Sequence, residues 1–365
     1  MSQELVHQLA LELIPGIGNK GVKQLISYCG SASSVFTVPK SKLLKVPGVG
    51  NHLANTIKSS DFIREAESII ESVEKIDARI VHFTDSEYPK RLRMVYDAPN
   101  LLYIKGNGTL NTERSVAVVG TRKATNYGKK ITDKIVADLG ATGATIISGL
   151  AYGIDIQAHK TSLKNHIPTH AVIAGGLDRI YPSVHKKYAN DIQDEGLIIS
   201  ESVPGAKPDA HLFPSRNRII AGLSDVTIVV EAAERGGALI TATLADSYNR
   251  PVFAVPGDVG NTYSSGTNKL ISTQKALIYT GIEDLIYHLG WDDQNKDEIH
   301  KKLPELSYQE KAVYTLLKDT NRSLEIDTIS LLSQIPVNHV ASVLLELEFK
   351  DLVKSLPGKK YEATL

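Results

Sequence analysis

The sequence predicts an α/β protein: a parallel-sheet core, a small helical domain before it and a winged-helix domain after it. Three observations predict this. From Ser115 onward, short apolar runs alternate with helical segments, the pattern of a parallel sheet covered on both faces. Near the start, two Pro-Gly-Ile/Val-Gly segments lie between helical patterns, a helix-hairpin-helix (SAM-like) signature. Near the end, three short helical patterns precede a hairpin. The expected boundaries are 1–65 for the helical domain, 66–111 for a connector leading into the core, 112–290 for the core, 291–306 for a linker and 307–365 for the winged helix.

Composition bounds the function. A chain of 365 residues with 42% hydrophobic content suits two or three domains with sizeable cores. Lys+Arg 41 balances Asp+Glu 41, so any polyanion site must be a local patch. Cys29 is the only cysteine, which excludes an internal disulfide or a multi-cysteine zinc site and suits a reducing cytosol. The first residues lack a basic stretch followed by an apolar run, and no run of 18 apolar residues exists. The expectation is a cytoplasmic protein with no signal peptide and no membrane span. No spacing suggests a metal site.

In the first domain, Leu13-Ile14-Pro15-Gly16-Ile17-Gly18-Asn19-Lys20 is echoed by Lys45-Val46-Pro47-Gly48-Val49-Gly50-Asn51-His52. Glycines there allow a tight turn and let backbone N–H groups approach phosphates. Residues 1–60 carry six lysines against Glu4 and Glu12, a balance of 6 − 2 = +4. Gly16, Gly18, Lys20, Gly48 and Gly50 are therefore candidate phosphate contacts, independent of base sequence.

Next come a helix over 61–76 and a mixed connector over 77–111. Strands are expected at 116–119, 145–148, 169–174, 197–200, 226–230 and 252–255, with helices at 126–139 and from Ile154. Ligands of such sheets bind beyond the carboxyl ends of the strands. The loop after the first strand is Gly120-Thr121-Arg122, which lacks the Gly-x-Gly-x-x-Gly of a dinucleotide site and argues against NAD or FAD. Arg122 there is a natural phosphate fork. The next loop, Ser148-Gly149-Leu150-Ala151-Tyr152-Gly153-Ile154-Asp155, places Asp155 and His159 four apart on one helix face. With Ser148 or Glu231 they could form a hydrolase acid/base pair. Without a nucleophile elbow or metal spacing, a polar network of Gly153, Asp155, His159 and Glu231 that pins the loops is the better reading.

Residues 213–223 place Arg216 and Arg218 around Asn217, after Phe213-Pro214 and before an apolar run. Arginines near a helix start suit a bound anion better than the helix alone. Gly236-Gly237 opens another anion-friendly helix, and Lys269 is expected near a further helix start. Over 112–290, 18 Lys/Arg against 17 Asp/Glu hide a clustering of cations at loop ends. A groove of arginines with Phe213 suits single strands, whose bases are available for stacking. The tail balance over 304–365 is 7 − 9 = −2, and the candidate recognition helix carries Glu346 and Glu348, which favours protein contact over duplex reading.

Taken together, the chain resembles the DprA (Smf) family of DNA-processing proteins. The resemblance rests on Asp85-Ser-Glu-Tyr88-Pro89 with Leu102-Tyr-Ile-Lys105-Gly106, Val119-Gly120-Thr121-Arg122, Ser148 through Asp155, Gly176-Leu177-Asp178 with Tyr181-Pro182, Phe213 through Ile220, and Val255-Pro256-Gly257. One departure is Gly236-Gly237-Ala238, where the family usually carries Ser-Gly-Ser. The resemblance implies an extended Rossmann-like core that binds single-stranded DNA without sequence preference. It also implies a homodimer that protects incoming strands and loads the RecA recombinase during natural transformation, with single-strand-binding protein as a further candidate partner. By that analogy Gly120, Thr121 and Arg122 grip phosphate. Ser148, Gly149, Phe213, Arg216, Asn217 and Arg218 line the groove, and Lys207 and Lys269 extend it. No catalytic residue, cofactor or metal is expected. The alternative is a nucleotide-processing enzyme of the phosphoribohydrolase (lysine decarboxylase-like) group. That group needs a Pro-Gly-Gly-x-Gly-Thr-x-x-Glu loop, and this chain offers only Gly175-Gly176 and Gly236-Gly237.

Overall fold

The computed structural model describes residues 3–59, 61–291, 306–320, 323–350 and 352–364. It divides into two compact units, Met1–His288 and Leu289–Leu365. Apart from Trp291 and Leu306, the expected linker 291–306 lies outside the described residues.

The first unit opens with helices α1 (Gln3–Leu13), α2 (Asn19–Cys29), α3 (Ala32–Thr37), α4 (Lys40–Leu43), α5 (Asn51–Lys58) and α6 (Asp61–Lys75). Gly16 and Gly48 turn the chain at φ +85° and +81°, a backbone that L side chains rarely adopt. Gly18 and Gly50 then stand at the N-termini of α2 and α5 with no side-chain cap, and Lys20 is exposed. Leu11, Ile14, Val22, Leu25, Val46 and Ile57 close a local core among these helices.

Strands β1 (Arg79–His82), β2 (Leu101–Lys105) and β3 (Ser115–Val119) follow, with α7 (Lys90–Arg93) between the first two. The chain continues through α8 (Asn126–Gly140), β4 (Thr145–Ser148), α9 (Ile154–Lys164), β5 (Thr169–Ile173), α10 (Lys186–Ile192) and β6 (Leu197–Ser200). It ends with α11 (Leu212–Leu223), β7 (Val226–Val229), α12 (Gly237–Ser247), β8 (Val252–Ala254), α13 (Ser265–Ser272), β9 (Leu277–Ile278) and α14 (Ile282–Leu289). Among the described residues the sheet runs β1-β2-β6-β5-β4-β3-β7-β8-β9. From β6 to β9 neighbours are parallel; β1–β2 and β2–β6 are antiparallel. The supposed connector 66–111 is thus corrected. Its two strands belong to the sheet, with Tyr103 paired to Ser200 and Ile104 to Ile199.

Alternate residues of the strands serve opposite faces. Val172 joins one core cluster with Ile219 and Ile220 of α11, whereas Ala171 and Ile173 join another with Ile156 of α9. Val6, Leu9 and Ala10 of α1 pack in that second cluster beside Tyr103, so no break separates the N-terminal helices from the sheet at residue 65. Strand order reverses at β3, which has β4 on one side and β7 on the other. A crevice forms at such a switch point.

The second unit has helices Tyr308–Thr320, Ile326–Ser333 and Val337–Phe349 and a sheet in which Lys360–Ala363 pairs with Leu324–Glu325 and Val353–Leu356. This is the expected winged helix. Among the described residues no single helix is long and apolar enough to cross a membrane.

Glu12 sits at the seam between α1 and the sheet, accepting a hydrogen bond from Asn100 Nδ2 at 2.6 Å. Burial pushes its carboxyl from 4.5 up to about 7, Glu201 adds to this, and Asn100 and Lys23 oppose it. A folded-state pKa above the unfolded one gives a stabilisation complete below the unfolded value and lost as pH rises through the folded value. Glu12→Gln is therefore expected to gain stability relative to wild type between about pH 5 and about pH 8 in paired urea titrations. A difference that does not change with pH would refute this.

Candidate nucleic-acid interface

A cleft of about 410 Å3 opens at the carboxyl ends of β3 and β7, where strand order reverses. The loop Gly120–Arg122 forms one wall, the start of α11 a second, and Ala232–Gly237 with the start of α12 a third. Three arginines converge there: Arg122, Arg216 and Arg235. One carboxylate, Asp155, lies among them.

Arg216 forms the floor. It is only 6% exposed and donates from Nη1 to the Val172 carbonyl at 2.8 Å. Its Nε has no hydrogen-bond partner among the described residues. Burial lowers its pKa to about 10, against the pull of Asp155, so it stays charged at neutral pH. Asp155 accepts from the backbone N–H groups of Gly149 and Ala151. Burial raises its pKa while Arg216 and those bonds work to lower it. Gly149 makes room, because a Cβ there would collide with the Arg216 guanidinium.

Arg122 forms the rim. It is exposed, and its guanidinium lies 5.1 Å from the Phe213 ring centroid. Arg216 approaches the same ring at 5.9 Å. Phe213 thus sits within reach of two guanidinium groups, a geometry in which both carry cation–π character. The loop that presents Arg122 is braced from below. Thr121 N donates to the Glu231 carbonyl at 2.7 Å, and Ile154 N donates to the Thr121 carbonyl at 3.2 Å. The Glu231 carboxylate accepts from Thr125 N at 2.9 Å and from Thr125 Oγ1 at 2.5 Å. It therefore sits at the start of α8, where a helix favours negative charge.

The structure brings together Gly120, Thr121, Arg122, Phe213, Arg216 and Asn217, all lining the cleft. Asn217 is buried and donates to the Gly237 carbonyl at 3.2 Å, tying α11 to α12. Other expectations need correction. Arg216 and Arg218 do not stand at a helix start. α11 begins at Leu212, with Pro214 in its first turn, where a missing N–H is tolerated. Residues two apart on a helix point roughly 200° apart. Arg218 accordingly faces away from the cleft and pairs with Glu201 at 2.5 Å. Ser148 is fully buried, its hydroxyl donated to the Val118 carbonyl, and Gly149 lies beneath Arg216. Lys269 lies in the last turn of α13 and pairs with Glu234 at 3.1 Å. Lys207 is exposed on a loop outside the cleft lining. His159 is buried against Thr169 Oγ1 at 2.8 Å, and burial holds its pKa near 3, so it stays neutral. Among the described residues neither Ser148 nor Glu231 hydrogen-bonds to a histidine; Ser148 donates to Val118 and Glu231 accepts from Thr125.

Sequence reasoning missed Arg235 and Thr241, which also line the cleft. Arg235 is exposed and makes no hydrogen bond or ion pair among the described residues. Its signal was its place directly before Gly236-Gly237, at the uncapped start of α12.

Residues 79–290, more than half of the chain, match the family model described as DNA recombination-mediator protein A. The chain belongs to this family. Residues 300–359 match the DprA winged helix domain. Protein Smf of Synechocystis is 30% identical over 396 residues, covering 99% of both chains. The X-ray structure of DprA from Streptococcus pneumoniae superposes with TM-score 0.64 at 32% identity, covering 79% of this chain and 98% of that one. A Helicobacter pylori DprA structure, described as giving insight into a unique single-stranded DNA binding mode, has TM-score 0.53 at 33% identity, covering 59% of this chain and 96% of that one. DprA and Smf relatives place the chain among DNA-processing recombination mediators.

Gly153 sets the Arg122 loop. It has φ +80°, and a Cβ there would strike the Thr121 carbonyl and the Arg122 backbone. Gly153→Ala is expected to cost about 1–3 kcal/mol in urea unfolding. Wild-type stability would show that the close approach is dispensable.

Proposed function

We propose that the cleft binds single-stranded DNA without sequence preference, and that the chain serves recombination in the cytoplasm as a mediator. The observation that carries this reading is the exposed Arg122 stacked on Phe213 above a buried, charged Arg216, with Arg235 unpaired across the cleft. Guanidinium groups offer phosphates paired N–H donors, and a ring beside them offers a base its face. Each feature is indifferent to base identity. The Helicobacter pylori relative, whose description concerns single-stranded DNA binding, supports the same ligand here. Family membership supports the finer role: protecting incoming strands and loading RecA during natural transformation, as a homodimer, with single-strand-binding protein as a further partner. We read it as a binding protein and not an enzyme, because Glu231 is engaged by Thr125 and Asp155 by the backbone of its own loop.

Arg122 and Arg235 are exposed, so replacing them leaves the core intact. The double variant Arg122→Ala, Arg235→Ala is expected to bind labelled oligo-dT at least ~10-fold more weakly than wild type at about 0.15 M salt. The slope of log affinity against log salt should flatten by about 0.7 for each phosphate that is no longer neutralised. Unchanged affinity and slope would move the interface elsewhere.

The N-terminal hairpins offer a second phosphate surface through Gly16, Gly18, Lys20, Gly48 and Gly50. Lys20→Glu with Lys45→Glu is expected to weaken binding to duplex DNA several-fold more than to oligo-dT. Equal losses on both would remove the separate role.

A further inference from the structure

Beside the cleft, aromatic rings stand in solvent. Tyr181 is 49% exposed and Tyr152 is 46% exposed. Each rests in T-shaped contact on another ring: Tyr181 on Phe213 with centroids 6.1 Å apart, Tyr152 on His185 at 5.1 Å. The supports are fixed. His185 is buried with Nδ1 hydrogen-bonded to the Leu150 carbonyl at 2.8 Å, and Phe213 is partly buried at the head of α11. Neither tyrosine hydroxyl has a hydrogen-bond partner among the described residues. A lone exposed tyrosine is ordinary. Two rings held against fixed supports, each next to a cleft-lining residue, Phe213 or Ala151, are not. Tyr181 touches the ring that carries Arg122. Tyr152 immediately precedes Gly153, which packs on the Arg122 backbone. Cations accompany them. Lys186 and Lys187, one and two residues past His185, are exposed and make no ion pair among the described residues.

Rings with solvent-facing surface, with exposed lysines close by in the chain, match the two faces of a single strand, its bases and its phosphates. Duplex DNA keeps its bases stacked and offers such rings nothing. We propose that Tyr181 and Tyr152 are base-stacking platforms that extend the cleft. The bound strand continues from Phe213 over these two rings, and Lys186 and Lys187 neutralise its phosphates. This inference rests on the single-strand reading of the cleft and adds to it the unpaired nucleobase as a recognised group.

The test compares labelled oligo-dT with an abasic deoxyribose-phosphate strand of equal length, by fluorescence anisotropy on the full chain. Stacking predicts that Tyr152→Ala with Tyr181→Ala weakens oligo-dT binding at least ~10-fold and leaves the abasic strand within about two-fold of wild type. Tyr152→Phe with Tyr181→Phe should bind oligo-dT like wild type, because the ring is kept. The alanine pair binding oligo-dT as wild type does, or losing both strands equally, would overturn the platforms. If the alanine pair is silent while Arg122→Ala with Arg235→Ala still abolishes binding, the platforms fall and the cleft stands. If wild type binds neither strand, both fall.

Discussion

The buried charge of Arg216 is the constraint on which the cleft depends. A guanidinium between a sheet and a helix is costly unless its charge and donors are met. Here Asp155 supplies the opposing charge and the Val172 carbonyl takes one donor. Those partners come from α9 and β5, and the arginine itself from α11, so one side chain locks three elements in register. Gly149, at the end of β4, leaves the space that the guanidinium occupies. Phe213 lies three residues earlier on α11 and therefore on the same side of the helix. Its ring in turn supports Arg122. The exposed guanidinium thus inherits its position from a buried one.

A second brace engages the other carboxylate at this sheet mouth. Glu231 lies two residues past β7 and reaches the start of α8, where two donors of Thr125 hold its carboxylate. Its backbone carbonyl holds Thr121. Gly128 must lack a side chain, since a Cβ there would meet that carboxylate. A carboxylate so engaged is held in place at the start of α8, where the helix favours its charge. Among the cleft-lining side chains, Arg122, Pro214, Arg235 and Ile240 are exposed to solvent.

The parallel strands were legible because buried strands of a covered sheet are nearly continuous apolar runs. β1 and β2 were not. They are antiparallel, and between them lies the basic turn Lys90–Arg93, which broke the expected alternation. β9 spans only Leu277–Ile278, too short to carry a pattern. At the site, residue type was legible and direction was not. Arg216 and Arg218 look equivalent in a string, yet the helix sends one under the cleft and the other to Glu201. Ser148 lies in a glycine-rich loop segment of the sequence but at the inward end of β4, which buries its hydroxyl. Lys269 seemed to lack an anion because its partner, Glu234, is 35 residues away in sequence.

Net neutrality is compatible with polyanion binding only when charge is sorted in space, and the two units show this sorting. In the cleft lining three arginines accompany one carboxylate, the buried Asp155. In the winged-helix unit, the helix Val337–Phe349 occupies the position of a recognition helix yet exposes Val337, Leu345 and Phe349 beside Glu346. Lys350, directly after it, is held by Glu310 at 2.5 Å. Duplex reading needs cations on the inserted helix, because phosphate contacts supply most of the affinity. The helix Val337–Phe349 carries no Lys or Arg to supply them. Exposed cations of this unit, Lys354, Lys359 and Lys360, stand on its hairpin and not on that helix, whereas the arginines of the sheet mouth converge on one cleft.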